Sequence, residues 1–198
     1  AMWTSLMAFF STSIANCEDI EYLTALVDAT MSMIKLLDVF NMQTERDSFI
    51  NLLVQFSGLE KTFNSMLNDK NLLLMRSVIA IATKMGNHLH SGWKFVLNCI
   101  VSINYYQIQA DKLKQSDIQS PNLPIEDQNA LFVSNYFTKD HLNLIFADTE
   151  KLDEHSILDF INGLSSLTIK EIECQGLRIH YILEQIVVVL NFNINRNP

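Results

Sequence analysis

Two histidines, His88 and His90, are the side chains whose type and spacing come closest to a metal-binding pattern. A zinc site needs three or four converging ligands, and a lone His-x-His supplies two. No cysteine or acidic residue stands at a spacing that would complete the set. We therefore expect both histidines to lie in a surface loop, and we expect no metal or other cofactor.

A second group that could do chemistry is the charged cluster Glu45-Arg46-Asp47. Paired carboxylates can act as a general acid and base. At the start of a predicted helix, however, capping and a local ion pair with Arg46 explain the same residues. The sequence also contains neither a G-x-x-x-x-G-K-[ST] phosphate-binding loop nor a G-x-S-x-G nucleophile motif. We therefore predict no catalytic residues and no enzymatic activity for this chain.

The three cysteines, Cys17, Cys99 and Cys174, are far apart and odd in number. This pattern does not indicate a disulfide framework, so it favours a reducing compartment. Cys99 lies within an apolar helical run, where a thiol packs as a small hydrophobic group.

The elements that must position these residues are predicted to be helices. Apolar residues make up 48% of the 198 positions, whereas the chain has only 5 glycines and 3 prolines. Strand-rich folds need many tight turns built from such residues. Apolar positions recur at helical spacing, as in Trp3, Leu6, Met7 and Phe10. We predict one all-α domain over residues 1–198, formed by about seven helices in an armadillo- or HEAT-like stack. A single irregular helical bundle is the alternative.

Helix boundaries are predicted from capping residues. Helix starts are expected at Thr44 (with Asp47 as a capping-box partner), at Asn68 or Asp69, at Ser91 and at Asp153. Gly58 and Gly86-Asn87 are expected to end helices through the left-handed conformation that glycine tolerates. Residues 107–140 are expected to form a partly flexible insert, with a surface loop predicted over residues 110–128 because Pro121 and Pro124 lie among polar residues there.

Charge is distributed unevenly along the chain. The net charge is −8, which disfavours nucleic-acid binding. Residues 60–114 nevertheless carry seven basic and three acidic side chains. The basic residues on successive elements are candidates for contact with an anionic membrane or an acidic protein surface, although a solvated helix face is the simpler interpretation: Lys61, Lys70, Arg76, Lys84 and Lys94.

The order of several short motifs carries a family resemblance. The motifs are Thr44–Phe49, Lys70-Asn71, Ile79–Ala82, Gly86–Leu89, Ser91–Ile100, Ile145–Leu152 and Ser156–Leu164. Together they resemble the first homology-downstream-of-Sec-seven domain of large Arf guanine-nucleotide exchange factors, of the brefeldin-A-sensitive Golgi and trans-Golgi class. The resemblance covers roughly residues 4–194, and the insert over residues 107–140 diverges from the family pattern. Its most specific part is Gly86-Asn87-x-Leu-x-x-x-Trp93, which with Cys99 forms the structural signature.

This resemblance implies a non-catalytic module that regulates the adjacent exchange domain. Such domains are armadillo-like. They help to recruit the protein from the cytoplasm to Golgi-type membranes, where activated Arf-family GTPase or anionic lipid relieves autoinhibition. The catalytic glutamate of the family belongs to the exchange domain, which we do not expect in this chain.

Two questions stay open at the level of sequence. The module could instead be a scaffold that contacts other domains of the same large protein or a second copy, through apolar surface alone. Trp93 could be a core anchor or an exposed interface residue.

Overall fold

The computed structural model describes residues 2–59, 65–116, 123–173, 176 and 178–194, and the regular secondary structure of this part of the chain is entirely helical. It confirms the predicted all-α class. The described residues form nine α-helices: α1 (Met2–Asn16), α2 (Ile20–Val39), α3 (Gln43–Phe56), α4 (Asp69–Lys84), α5 (Trp93–Gln115), α6 (Ile125–Ser134), α7 (Lys139–Ala147), α8 (Glu154–Glu173) and α9 (Ile179–Asn193). Short 3₁₀ turns cover Gly86–His88, His90–Gly92 and Asp148–Lys151.

Local capping explains several of these boundaries. Asn68, one of the two predicted caps, caps α4, and it does so through a complete capping box with Asn71. The backbone N–H of Ser156 donates to Asp153 Oδ1 at 2.8 Å, which confirms Asp153 as the cap of α8. None of the described helices has an apolar stretch long enough to cross a bilayer.

Two predicted caps were wrong. α3 begins at Gln43, its N-cap is Met42, and no side chain caps it. Gly92 is the N-cap of α5, again without a side-chain hydrogen bond. Ser91 instead donates its hydroxyl to Asp47 Oδ2 at 2.6 Å, so the predicted cap of α5 bonds the residue that was predicted to be the capping-box partner of Thr44. This contact spans 44 residues, which local pattern reading cannot detect.

The two helix-ending glycines differ in their physical role. Gly58 has φ +80°, the left-handed conformation predicted for the end of α3. Gly86 follows the cap of α4 without a positive φ and begins a 3₁₀ turn. A Cβ at Gly86 would lie 2.6 Å from Leu152 Cδ2 and 3.2 Å from Trp93 Cζ2. Gly86 is therefore required by close packing, and the predicted left-handed stop was wrong.

In the segment predicted as a loop over residues 110–128, most of the residues that the structure describes are helical. α5 continues to Gln115 with Ala110 fully buried, and α6 begins at Ile125. Pro121 lies outside the described residues. The helix count of about seven was too low partly because α6 has only ten residues, too few for a clear helical period.

α5 is the central helix of the core. It packs against α3, α4, α6, α7, α8 and α9. The fully buried side chains of Val96, Leu97, Ile100 and Ile103 line its inward faces. α8 returns from the far end of the chain to lie against both α5 and the 3₁₀ turns before it. The connection between α4 and α5 therefore packs against α2, α3 and the first half of α8.

Candidate interaction surface

The connection between α4 and α5 is tied to the start of α8 by Asn87. Its side-chain Oδ1 accepts a hydrogen bond from the Asp153 backbone N–H at 3.1 Å, and its backbone carbonyl oxygen accepts one from the Ser156 hydroxyl at 3.3 Å. The close packing of Gly86 on Leu152 lies beside these contacts. Gly86 and Asn87 thus join two segments that are more than 60 residues apart in the chain.

Trp93 and Cys99 lie inside the fold. Trp93 is 1% exposed, and its ring centroid is 4.8 Å from that of Phe160 on α8 in an edge-to-face arrangement. Cys99 is fully buried two turns further along α5. In this chain Trp93 is accordingly a core anchor between α5 and α8. Cys17 is also a buried thiol, and Cys174 lies outside the described residues.

Asp38, near the end of α2, is the centre of a polar cluster. Its Oδ1 lies 3.3 Å from Arg46 Nη1 and 3.0 Å from His90 Nε2, while its Oδ2 lies 2.6 Å from His88 Nδ1. The other ring nitrogen of His90, Nδ1, lies 3.1 Å from Asp159 Oδ2 on α8. His90 therefore links α2 to α8 through its two nitrogens.

The same cluster holds the α4–α5 connection in an unusual backbone conformation. His90 has φ +45°, which costs free energy for a residue with a side chain. Asp47 Oδ2 accepts a hydrogen bond from the hydroxyl of Ser91, the residue that follows His90. Asp47 Oδ1 also lies 3.2 Å from Arg46 Nη2. Arg46 is 1% exposed, so its guanidinium is an interior charge shared by two carboxylates. Within the described chain no three His, Cys, Asp or Glu residues are arranged to hold a metal ion.

Sequence reasoning identified Arg46, Asp47 and the two histidines as charged or chemically competent residues, but it missed Asp38 and Asp159. Both are single acids within amphipathic helices, and no pattern of metal-binding or acid–base residues surrounds either one. Only the proximity of the histidines reveals them.

Two of the predicted basic residues contact distant parts of the chain. Lys70 Nζ donates to the carbonyls of Ala15 at 2.8 Å and Cys17 at 3.1 Å, so it binds carbonyl groups at the end of α1. The guanidinium of Arg76 lies 5.3 Å from the ring centroid of Tyr136, beyond α6. These contacts direct the two side chains towards different parts of the fold.

Of the remaining predicted basic residues, Lys84 and Lys94 lie on either side of the α4–α5 connection. Lys84 is exposed in the last turn of α4, and Lys94 is exposed in the first turn of α5. Neither forms an ion pair with any described residue. Lys61 lies outside the described residues.

Asp153 shows how the start of α8 depends on charge. Partial desolvation acts to raise the pKa of its carboxyl group. Hydrogen bonds from the backbone and side chain of Ser156, with His155 and His90 nearby, outweigh that effect and hold the pKa below its ordinary value. Because the folded-state pKa is lowered, this contribution to stability is present above the unfolded pKa. It is lost as the pH falls through the folded pKa.

We expect Asp153→Ala to lower the free energy of unfolding by about 1 kcal/mol at neutral pH, because the cap of α8 is lost. The difference from the unsubstituted chain should shrink as the pH falls below about 4, where the unfolded carboxyl group becomes protonated. Urea denaturation across this pH range measures it. Asp153→Asn is the control, since it keeps an acceptor for Ser156. A pH-independent loss in the alanine variant would contradict the role of the carboxylate.

The sequence comparisons match this chain to parts of large guanine nucleotide-exchange proteins. The matches fit a domain of a large Arf guanine-nucleotide exchange factor, which confirms the family resemblance inferred from the motifs. The matches extend over 98% or more of this chain but over only 12–14% of each relative.

The relatives themselves are brefeldin A-inhibited guanine nucleotide-exchange proteins. Protein 4 of Arabidopsis thaliana is 20% identical, with 98% of this chain and 14% of that protein aligned. Protein 1 of Homo sapiens is 22% identical, with 98% of this chain and 12% of that protein aligned. Protein 2 of Arabidopsis thaliana is 18% identical, with 99% and 14% aligned. No family model and no solved structure matches the chain.

Proposed function

We propose that this chain is a non-catalytic regulatory and membrane-recruitment module of an Arf-family exchange factor. The observation that carries the proposal is the match over nearly the whole chain to a small part of large exchange proteins. In this proposal the module is armadillo-like and acts in the cytoplasm on Golgi or trans-Golgi membranes. Activated Arf-family GTPase, anionic lipid or both bind it and relieve autoinhibition.

The proposed contact surface is centred on Lys84 and Lys94. Both ammonium groups are exposed and lack an ion pair in the described chain, so they are available to an anionic surface. Lys61, Lys70 and Arg76 belong to the same proposed set, although Lys70 and Arg76 already make intramolecular contacts. A basic side chain near an anionic leaflet contributes about 1 kcal/mol. Two or three such groups hold a module weakly, and stable recruitment therefore requires a second contact, for which we propose the activated GTPase.

Liposome flotation tests this proposal. The purified chain is mixed with phosphatidylserine-containing vesicles, with or without a lipidated Arf-family GTPase locked in its GTP-bound form. We expect co-flotation with the GTP-bound form and loss of co-flotation in the double variant Lys84→Glu/Lys94→Glu. Lys112→Glu/Lys114→Glu, near the end of α5, reverses the same amount of charge and should float normally.

The other outcomes reassign the function. Flotation with vesicles alone would favour direct lipid recognition over recruitment by GTPase. Survival of flotation in Lys84→Glu/Lys94→Glu would show that the contact surface lies elsewhere. No flotation under either condition would favour the second candidate function.

That second candidate is a scaffold module contacting other domains of the same protein or another copy. Exposed apolar side chains on two separate helices favour it. On α9 and its C-cap, Leu183, Val187, Leu190 and Ile194 are 48–77% exposed and recur at helical spacing along one face. On α2 and its C-cap, Leu36, Val39 and Phe40 are exposed as well. Contiguous apolar patches of this kind mark interaction sites.

A further inference from the structure

A groove runs between the first turns of α5 and the second half of α8, on a part of the surface that the sequence motifs did not indicate. Its volume is about 270 Å³. We call it the Lys94–Lys170 groove. Besides those two lysines, its lining residues are Phe95 and Asn98 on α5 with Gly163, Ser166 and Leu167 on α8.

The groove exists because α8 presents small residues to α5. A Cβ at Gly163 would lie 3.2 Å from the backbone nitrogen of Lys94 and 3.3 Å from Leu97 Cδ1. The backbone of α8 at Gly163 therefore lies directly against α5. Ser166, nearly one turn further on, is short and exposed. These small residues leave a space between α5 and α8 beyond Gly163, and Phe95 and Leu167 line that space as apolar residues.

Two of the residues that line the groove are positively charged, and no described carboxylate forms an ion pair with either of them. Lys94 and Lys170 are both exposed, although the chain as a whole has a net charge of −8. The nearest acid after Lys170, Glu171, is buried and pairs with Arg178. Arg178 also donates to Asn98 Oδ1 at 3.3 Å, which connects this pair to the groove wall. The charged residues that line the groove are therefore both positive.

Lys94 does not simply extend into solvent. Its Nζ lies 4.8 Å from the ring centroid of Phe95, so the ammonium group rests over an aromatic wall of the groove. The positive charge of Lys94 therefore lies next to the apolar surface of Phe95, and an anionic group with an apolar neighbour could contact the two together.

We propose that the Lys94–Lys170 groove binds an acidic segment of a partner polypeptide, most simply an amphipathic helix. One apolar side chain of the segment enters between Phe95 and Leu167, and flanking carboxylates pair with Lys94 and Lys170. The volume supports a side-chain anchor, because pockets for whole small molecules usually measure about 300–1,000 Å³. The concave shape between two helices suits a helix-in-groove contact and is poorly reached by a flat bilayer. The proposal shares Lys94 with the proposed membrane surface but requires neither vesicles nor GTPase.

Fluorescence polarisation of the purified chain tests the proposal. The probe is a fluorescein-labelled helical peptide of about 14 residues with leucines at i, i+4 and i+7 and glutamates beside them. We expect saturable binding that weakens at least tenfold in Lys94→Gln/Lys170→Gln and is lost in Ser166→Leu, which fills the groove from an exposed position. A tenfold change corresponds to about 1.4 kcal/mol. Lys112→Gln/Lys114→Gln is the charge-matched control and should bind normally.

A second peptide with glutamine in place of glutamate should bind at least tenfold more weakly. The proposal is overturned by absence of saturable binding, by equal affinity in Ser166→Leu, or by equal affinity for the two peptides. It is also overturned if phosphatidylserine vesicles, and not the peptide, bind the chain through Lys94 and Lys170. Thermal melts establish that each variant is folded. The peptide-binding assay contains neither lipid nor GTPase. Peptide binding can therefore be observed even if the chain does not co-float with vesicles, and the two proposals are tested separately.

Discussion

Replacing Arg46 with methionine is expected to lower the free energy of unfolding by about 3 kcal/mol at neutral pH. Arg46 is 1% exposed, and its guanidinium lies within 3.3 Å of both Asp38 and Asp47. Methionine keeps most of the aliphatic volume, so little of the effect is attributable to a cavity. The loss arises because two carboxylates, each 17% exposed, remain without their shared cation. Urea denaturation followed by circular dichroism measures it.

Two further variants separate this electrostatic cause from a general loss of packing. Lys35→Met removes an exposed cation of α2 that has no ion pair in the described chain, and should change stability by no more than about 0.5 kcal/mol. Adding Asp47→Asn to Arg46→Met should restore part of the lost stability, because it removes one uncompensated charge and keeps an acceptor for Ser91. A loss below about 1 kcal/mol in Arg46→Met, or no recovery in the double variant, would contradict the buried ion-pair account.

Trp93→Ala should be comparably destabilising, by about 3–5 kcal/mol. The indole is 1% exposed and packs edge-to-face on Phe160, so truncation leaves a cavity where α5 meets α8. Gly86 lies against the same ring, which limits how far the backbone can move to fill the space. Urea denaturation followed by far-ultraviolet circular dichroism is the appropriate measurement, since the variant loses a fluorescent reporter.

Trp93→Phe distinguishes packing from hydrogen bonding. No described protein atom accepts a hydrogen bond from the indole Nε1, so phenylalanine should retain much of the stability by preserving an aromatic contact with Phe160. Trp3→Ala is the matched control, because Trp3 is only partly buried on α1 and should cost less. Equal losses in Trp93→Phe and Trp93→Ala would contradict the packing account.

Features that depend on neighbours within one helical turn could be predicted from the sequence. Asn68 and Asp153 cap their helices because a cap bonds a backbone N–H only two or three residues away. The conformation of Gly58 follows equally from the end of an amphipathic run. Val187–Val189 has strand propensity, but the length of the apolar run around it favours a helix, and it forms part of α9.

Features that depend on contacts between distant segments could not be predicted. The loop assigned to residues 110–115 is a continuation of α5, in which Ala110 is buried although the surrounding composition is polar. Thr44 and Ser91 have good capping chemistry, but neither caps its helix in the fold. Ser91 bonds Asp47 instead, a partner that the local sequence around Ser91 does not reveal.

The sequence by itself determined the helical class, several helix ends and the family resemblance, because apolar periodicity, capping and motif order are all properties of short segments. Only the tertiary structure decided that Asp38 and Asp159 meet His90, and that Lys70 binds the end of α1 rather than remaining free for a partner. It also decided that Lys94 shares a groove with Lys170. Such contacts join residues more than 50 positions apart, and their geometry is set by how whole helices pack.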